Sequence, residues 1–307
     1  MRIVNPLYDR AFKILMENEK IAQKIISVII EKEVVSLELR PQEVIITDKK
    51  RNFPILRYDF KAVIRTEEEG DQVVLIEVQK SKYPDPIIRF RKYLASNYMK
   101  TEKVEDGAKA LPIITIYFLG YNLPEYDTPA VIVNNCVIDA TTKEPIEYKN
   151  EFVKLLTHPS YILQVERLPK QRKTKLEKLL SLFDQAKKTS DDFILDIDND
   201  YSENLSDFGF VINHLNRAAQ DEDIILELQL EEEVEKEFER LESLEKVVEK
   251  LDLEIQTKDQ ELQTKDQELQ SKDKKLIESA SEMKKLGIDI KKIAEITGLS
   301  MNVVEKL

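Results

Sequence analysis

The chain has 307 residues, of which 35% are charged, with a formal net charge of −12, one cysteine and two histidines. Because an ordinary globular domain carries about 25% charged residues, we expect one good-sized domain followed by an exposed, charge-rich helical region. The lone cysteine and two histidines exclude an internal disulfide framework and a Cys/His zinc cluster. With no apolar leader at the N-terminus and no long apolar run, the sequence predicts a cytoplasmic protein without a membrane partner.

The negative charge is unevenly distributed along the chain. Residues 1–110 hold 21 Lys and Arg against 18 Asp and Glu, a net of +3, whereas residues 221–250 hold 4 against 13, a net of −9. The acidity therefore belongs to the later part, and the first domain can still meet a polyanion such as DNA.

The first half of the chain alternates between helical and extended patterns. Apolar residues at helical spacing predict two helices within residues 5–32, and another helix is predicted within 84–100. Strands are predicted at 34–39, 43–47, 55–65, 73–79, 111–120 and 130–140. The segment 73–79 is apolar on both faces, which is typical of a central strand, so the pattern predicts a mixed sheet with helices packed on it.

From about residue 150 the sequence predicts helices alone. Segments 161–188 and 206–220 have helical patterns, and a long helix is expected from residue 224 onward. Apolar residues recur there every seven positions, at Val234, Leu241, Val248, Ile255, Leu262, Leu269 and Leu276.

Two interpretations of this heptad helix remain open. Leu244 and Leu251 fill a companion position three residues later, which favours an oligomerising stalk over residues 230–255. In the direct repeat QTKDQEL QTKDQEL QSKDKKL, the companion position becomes Lys258, Lys265 and Lys272. One apolar residue per heptad makes a poor coiled coil, so residues 256–276 favour a solvated spacer helix.

Two neighbouring predicted strands each carry a carboxylate. Alternation places Asp59 and Lys61 on one face of the first strand, and Glu77 and Gln79 on one face of the second. Since a hairpin joins the strands, cross-strand neighbours lie about 5 Å apart, and these side chains could converge. The alternative is that the polar residues of 57–61 form only the solvated face of an amphipathic strand.

Glu77 argues for a metal site, because a carboxylate in a central strand is costly to bury unless it is paired or metal-bound. Mg²⁺ prefers oxygen ligands at about 2.0–2.1 Å and retains waters, one of which can become a nucleophile. Gln79 would add an amide oxygen or orient that water, and Lys61 would neutralise an attacked phosphate or help to deprotonate the water. Lys80 is turned to the opposite face by alternation, so it cannot simply replace Lys61.

These motifs resemble the PD-(D/E)XK nuclease superfamily, in the branch of PD-(D/E)XK family transposases and Rpn-type recombination-promoting nucleases. The resemblance covers roughly residues 5–240 and rests on Asp59 in YDF, and on Glu77 and Gln79 in IEVQK. Glu77 follows Asp59 by 18 positions. Gln79 stands where the superfamily usually has a catalytic lysine, although this branch often has glutamine there. The resemblance implies an α/β core that cleaves DNA with Mg²⁺ or Mn²⁺, with Asp59 and Glu77 as the metal ligands.

The same resemblance matches Asp9 and Phe12 to a DxxFK pattern, and Arg89 and Tyr93 to an RxxxY pattern. Arg89 and Tyr93, four residues apart on a predicted helix, share a face suited to a substrate phosphate. They could equally be a surface charge and a half-buried aromatic. For Asp9, a first-turn acid favoured by the helix dipole is the better interpretation.

The last residues resemble a short helix-turn-helix, with Gly287 ending one helix, Ala294 at a close packing point, Gly298 in the turn and Ser300 capping the last helix. Docking onto DNA and a small packing or assembly module are both open. Residues 281–307 hold five lysines, four acids and no arginine, a weak charge for groove binding.

The sequence thus predicts four regions: a PD-(D/E)XK-like mixed α/β core at 1–150, a helical extension at 151–222, a charged heptad helix at 223–280 and a helix-turn-helix-like module at 281–307. The expected function is a Mg²⁺-dependent DNA endonuclease associated with transposition or recombination, which forms homo-oligomers through the heptad helix. The alternative is a catalytically inactive nuclease fold that binds DNA or protein.

Overall fold

The computed structural model describes residues 1–40, 44–48, 53–57, 60–80, 86–105, 107–147, 150–197 and 206–307. The strands are β1 (Arg2–Val4), β2 (Val34–Arg40), β3 (Val44–Asp48), β4 (Phe53–Arg57), β5 (Phe60–Thr66), β6 (Gly70–Gln79), β7 (Glu102–Val104), β8 (Gly107–Lys109), β9 (Ile113–Leu119), β10 (Ala130–Val133), β11 (Ser160–Gln164) and β12 (Ile194–Asp196). The α-helices are α1 (Asp9–Glu17), α2 (Glu19–Ile30), α3 (Pro86–Tyr98), α4 (Glu151–Leu156), α5 (Lys175–Leu180), α6 (Gly209–Ala218), α7 (Glu222–Lys285), α8 (Ile290–Thr297) and α9 (Met301–Lys306).

A six-stranded mixed sheet forms the centre of the first compact unit. Its strand order is β10, β11, β9, β6, β5, β2. Strands β6, β9 and β11 run parallel, and β2, β5 and β10 each run antiparallel to their neighbours. The prediction of a mixed sheet flanked by helices is confirmed, and so is the central position of β6.

Alternation along the central strands separates two apolar clusters. The larger core packs one face of the sheet against α1 and α2, and it includes Ala62, Val74 and Ile116. The opposite face contributes Val63 and Leu75 to a smaller cluster with α3. Because both faces are covered, β6 is apolar along most of its length, as expected for a central strand.

The segment predicted as one strand over residues 55–65 is two strands in different sheets. β4 pairs with β3 in a two-stranded sheet, whereas β5 pairs with β2 and β6 in the main sheet. The single-strand prediction is therefore wrong, since an unbroken alternation of apolar and polar residues does not reveal a change of pairing partner.

The prediction that strands end near residue 150 is also wrong. β11 pairs in parallel with β9 inside the main sheet, and β12 pairs with β1. Helix α6 and the start of α7 also complete the large core, which extends to Leu228. The chain divides into a compact unit of residues 1–234 and a second of residues 235–307.

The second unit contains the rest of α7 followed by α8 and α9. A small cluster of Ala280, Ile293 and Val304 packs the end of α7 against α8 and α9, with Ala294 against the cluster. Gly287 and Gly298 adopt the left-handed conformation, at φ of 74° and 71°, which confirms that Gly287 ends one helix and that Gly298 lies in the turn. Ser300 stands at the N-cap position of the last helix, but its side chain makes no capping hydrogen bond. In the described part of the chain, no helix is long and apolar enough to cross a membrane.

Candidate active site

The last residues of β6 carry two buried polar side chains on one face. Glu77 exposes 2% of its surface and Gln79 exposes 6%, and both alternate with apolar residues that belong to the large core. They therefore lie on the sheet face that α3 covers. β6 and its parallel neighbour β9 end side by side here, and the carboxyl ends of strands are where open α/β sheets usually bind ligands.

Two tyrosines from β9 and the turn after it line this end of the sheet. Tyr117 is the direct cross-strand neighbour of Glu77. Burial raises the pKa of the Tyr117 hydroxyl far above its usual range, and the Glu77 carboxylate adds to the effect against a lowering by Thr115. The Tyr121 hydroxyl donates a hydrogen bond of 3.0 Å to Oε1 of Gln79. An amide oxygen has two lone pairs, so Gln79 can accept one further donor or bind a cation.

Lys61 lies on the same face, on the neighbouring strand β5. Its cross-strand partner is Leu75, two residues before Glu77, so Lys61 and Glu77 are diagonal neighbours about 7–8 Å apart. The Lys61 ammonium, whose residue is 4% exposed, donates to the carboxylate of Glu102 at the start of β7. An ammonium group has three donors, so this ion pair holds Lys61 in place while leaving donors for a substrate.

Lys80 lies on the opposite side of the strand, as alternation predicts. Its ammonium is 2.8 Å from Oε2 of Glu232 on α7 and 3.8 Å from the centre of the Tyr8 ring. The Tyr8 hydroxyl also donates to Glu232. Lys80 therefore ties the end of β6 to the first turns of α7 and does not share the face of Glu77.

The other predicted site residues are described to different extents. Asp59 lies outside the described residues. Arg89 falls within α3, although its side chain is also outside them. Tyr93 is 5% exposed and packs in the smaller cluster, with its ring 6.2 Å from that of Phe90. A role for Arg89 and Tyr93 in binding phosphate stays a prediction.

The residues of the DxxFK pattern in the first helix have different structural contacts. Asp9 begins α1, and its backbone amide donates to Glu231 at 2.7 Å. Phe12 is buried in the large core against Phe118. Glu231 thereby caps the N-terminus of α1, where a carboxylate also interacts favourably with the helix dipole.

The donor set suits a hard divalent cation. Glu77 offers a carboxylate and Gln79 an amide oxygen, and such oxygen ligands favour Mg²⁺ or Mn²⁺ over softer metals. Within the described ranges, no group of three or more His, Cys, Asp or Glu side chains could hold a metal ion. Asp59, which would complete the predicted ligand pair, is outside those ranges.

Sequence reasoning missed three residues near this site: Glu102, Tyr117 and Tyr121. Glu102 is 41 residues from Lys61 along the chain, and no local pattern links the two. Tyr117 could have been found only by knowing which residue of β9 pairs with Glu77.

Comparisons with family models, with curated proteins and with solved structures give no match for this chain.

Proposed function

We propose that the unit of residues 1–234 is a metal-dependent DNA endonuclease of the PD-(D/E)XK type that acts in transposition or recombination. The observation that supports this most strongly is the buried carboxylate of Glu77 at the carboxyl end of a central strand, on one face with Gln79 and Lys61. The net charge of +3 over residues 1–110 is compatible with a polyanionic substrate.

In this proposal, Asp59 and Glu77 hold one Mg²⁺ or Mn²⁺ ion. When bound, the metal polarises the phosphodiester and lowers the pKa of a water nucleophile. Gln79 orients that water through its amide, whose position the Tyr121 hydroxyl stabilises. Lys61, held by Glu102, neutralises charge that develops on the phosphate. The neutral hydroxyl of Tyr117 remains a donor beside Glu77.

Nicking of supercoiled plasmid in Mg²⁺, Mn²⁺ or EDTA tests the proposal. We expect metal-dependent nicking by the parent chain, and its loss in Asp59→Asn and Glu77→Gln, which remove a charge at nearly constant volume. Glu67→Gln is the matched control, since Glu67 is an exposed acid in the turn between β5 and β6 and should leave cleavage unchanged. Calorimetric titration with Mn²⁺ should show weakened binding in the first two variants alone.

The two lysines provide a second comparison in the same assay. Lys61→Met should lower nicking by about a hundredfold, as expected when a charge-stabilising group is removed. Lys80→Met should retain activity, although both substitutions leave a buried glutamate without its lysine and should destabilise the fold comparably. Urea unfolding separates the stability effect from the catalytic one. The reverse ranking would contradict the assignment of Lys61.

One observation favours the alternative, an inactive fold that binds DNA or protein. Gln79 replaces the lysine that the resemblance leads one to expect, and Lys61 is already paired with Glu102. A chain that binds labelled duplex DNA with equal affinity in EDTA and in Mg²⁺, and nicks it in neither, would support this alternative and overturn the proposed activity.

A further inference from the structure

The heptad row of α7 presents apolar side chains to solvent over many turns. Within the second unit, the residues of this row are 39 to 59% exposed, and the row consists of Leu241, Val248, Ile255, Leu262, Leu269 and Leu276. A straight α-helix has 3.6 residues per turn, so a strict seven-residue repeat drifts around it by about 20° per heptad. The row stays on one side only if the helix supercoils around another helix. The seven-residue period is therefore the one that a helix supercoiled around a second helix needs.

The repeat carries two charged rows beside the leucines. Lys258, Lys265 and Lys272 form the lysine row, and Asp259, Asp266 and Asp273 form the aspartate row. All six side chains are exposed. In the described part of the chain, none of the six makes an ion pair within 4.0 Å. Both rows are therefore available to a partner.

The two rows are complementary to each other when two copies of the helix lie parallel and in register. Heptad position d of one helix, where the lysines lie, then packs beside position e of the other, where the aspartates lie. The leucines occupy heptad position a, and they contact the leucines of the other copy in the layers between those of the lysines. In an antiparallel pair, each leucine would instead meet a lysine of the partner. Parallel pairing thus brings the leucines together and sets each lysine beside an aspartate of the other copy, which offsets the charge of the lysines that face each other at position d.

Charges within each helix offset part of the lysine charge in either orientation. Glu261 and Glu268 precede Lys265 and Lys272 by four residues, the favourable order for a helical pair. Each of these lysines can therefore have one acidic neighbour in its own helix and another across the interface. Leu244 and Leu251, in the lysines' heptad position earlier in the helix, add apolar layers that oppose a shift of register by one repeat.

We propose that residues 241–276 form a parallel, in-register, two-stranded coiled coil with a second copy of this chain, in which the lysine row pairs with the aspartate row of that copy. This proposal is independent of the proposed enzymatic function. It assigns the repeat to the interface, where the sequence alone favoured a solvated spacer.

Sedimentation equilibrium of the full chain measures the association. We expect a dimer for the parent, and a dissociation constant at least about tenfold lower when all three lysines are changed to leucine. The matched control changes Gln256, Gln263 and Gln270 to leucine, which adds the same apolar groups outside the seam, and should leave the constant unchanged. Equal strengthening in both variants, or a monomer in every case, would overturn the proposal.

A charge exchange tests the pairing itself. Changing the lysine row to glutamate should weaken the dimer by about tenfold or more, because each glutamate then faces an aspartate. Changing all three aspartates to lysine in that same variant should restore the dimer affinity of the parent chain. Failure of this restoration would contradict the pairing of the two rows.

Cysteine cross-linking tests the orientation. The variant Lys272→Cys, made in a chain that also carries Cys136→Ser, places its new sulfur near one end of the coiled coil. The sulfurs of the two copies can therefore meet only in a parallel pair. Position d of a parallel dimer has a Cα separation of about 6 Å, within the range for a disulfide. Rapid oxidation to a covalent dimer is expected. A dimer by sedimentation that does not cross-link at this position would overturn the parallel orientation.

Discussion

His158, which precedes β11, shows how burial shifts the titration of a single side chain. Its Nδ1 is 2.5 Å from the hydroxyl of Tyr98, at the end of α3, and the two rings are 5.8 Å apart. Burial lowers the pKa of the imidazole below its usual value. A neutral ring can accept a hydrogen bond from the tyrosine at Nδ1, whereas a protonated ring cannot.

This lowered pKa predicts a pH dependence of stability. In the unfolded chain, His158 titrates near its ordinary pKa of about 6.5 and binds more protons than in the folded chain. The part of the free energy of unfolding that depends on a neutral His158 is therefore fully present above about pH 6.5. It is lost as the pH falls toward the lower pKa of the folded state. Urea unfolding of the parent should show stability falling from pH 7.5 to 5.0, and less steeply in His158→Gln. Equal slopes in the two chains would rule out this role for His158.

At the residue scale, the sequence predicted the parts of the candidate site that depend on local alternation. Glu77, Gln79 and Lys61 share a face as expected, because parity along a strand determines the face. Glu102 and Tyr121 escaped prediction, since their contacts with Lys61 and Gln79 join residues 41 and 42 positions apart.

At the scale of elements, the ends of β6 and β9 approach each other too closely for any side chain at Gly120. The Gly120 amide donates to the carbonyl of Gln79 at 2.8 Å. A Cβ at this position would lie 2.5 Å from the backbone oxygen of Lys80 and 3.0 Å from Leu7. Because the contact is with backbone, only a shift of the strand ends could relieve it.

We therefore expect Gly120→Ala to destabilise the chain by about 1–3 kcal/mol, the usual cost of overpacking. Gly209→Ala is the control, because a Cβ at Gly209 meets nothing within 4 Å and this residue begins α6. That variant should be neutral or more stable by up to about 1 kcal/mol. The urea concentration at the unfolding midpoint of each variant measures this difference in stability. Similar midpoints would show that the ends of the two strands can move apart without loss of stability.

Individual elements were predictable where one pattern repeats over several turns. Helix α2 is amphipathic throughout, with Ile21, Ile25 and Ile29 all in the core. Strand β11 was predicted as part of a helix, because a five-residue segment with three apolar residues shows too little periodicity to separate the two structures. Its parallel pairing with β9, more than 40 residues earlier, determines its conformation.

At the scale of the whole molecule, the large core draws on most of the first unit. Beyond residue 150, it includes Leu163, Phe183, Val211 and Leu228. The sequence placed a boundary at 150 because the predicted strands ended there, and no local signal showed that later segments return to the sheet. Composition did indicate the long charged helix, since its acidic excess is visible over thirty residues.

This distribution of the core predicts how fragments behave. A fragment of residues 1–150 should not fold, because each large buried side chain lost is worth about 1.5–3 kcal/mol against a net stability of about 5–15 kcal/mol. A fragment of residues 1–240 retains the whole core and should unfold cooperatively near the midpoint of the intact chain. Circular dichroism melting distinguishes the two. Cooperative melting of the shorter fragment would contradict this account.

The ion pair between Lys80 and Glu232 also bears on the order in which a growing chain acquires its structure. Translation produces β5 and β6 early, but β1 must wait for β12, and Lys80 and Tyr8 must wait for Glu232. The contact between the end of β6 and α7 therefore forms only after the first turns of α7 have left the ribosome. A ribosome that stops before residue 232 releases a chain in which Lys80 lacks this carboxylate.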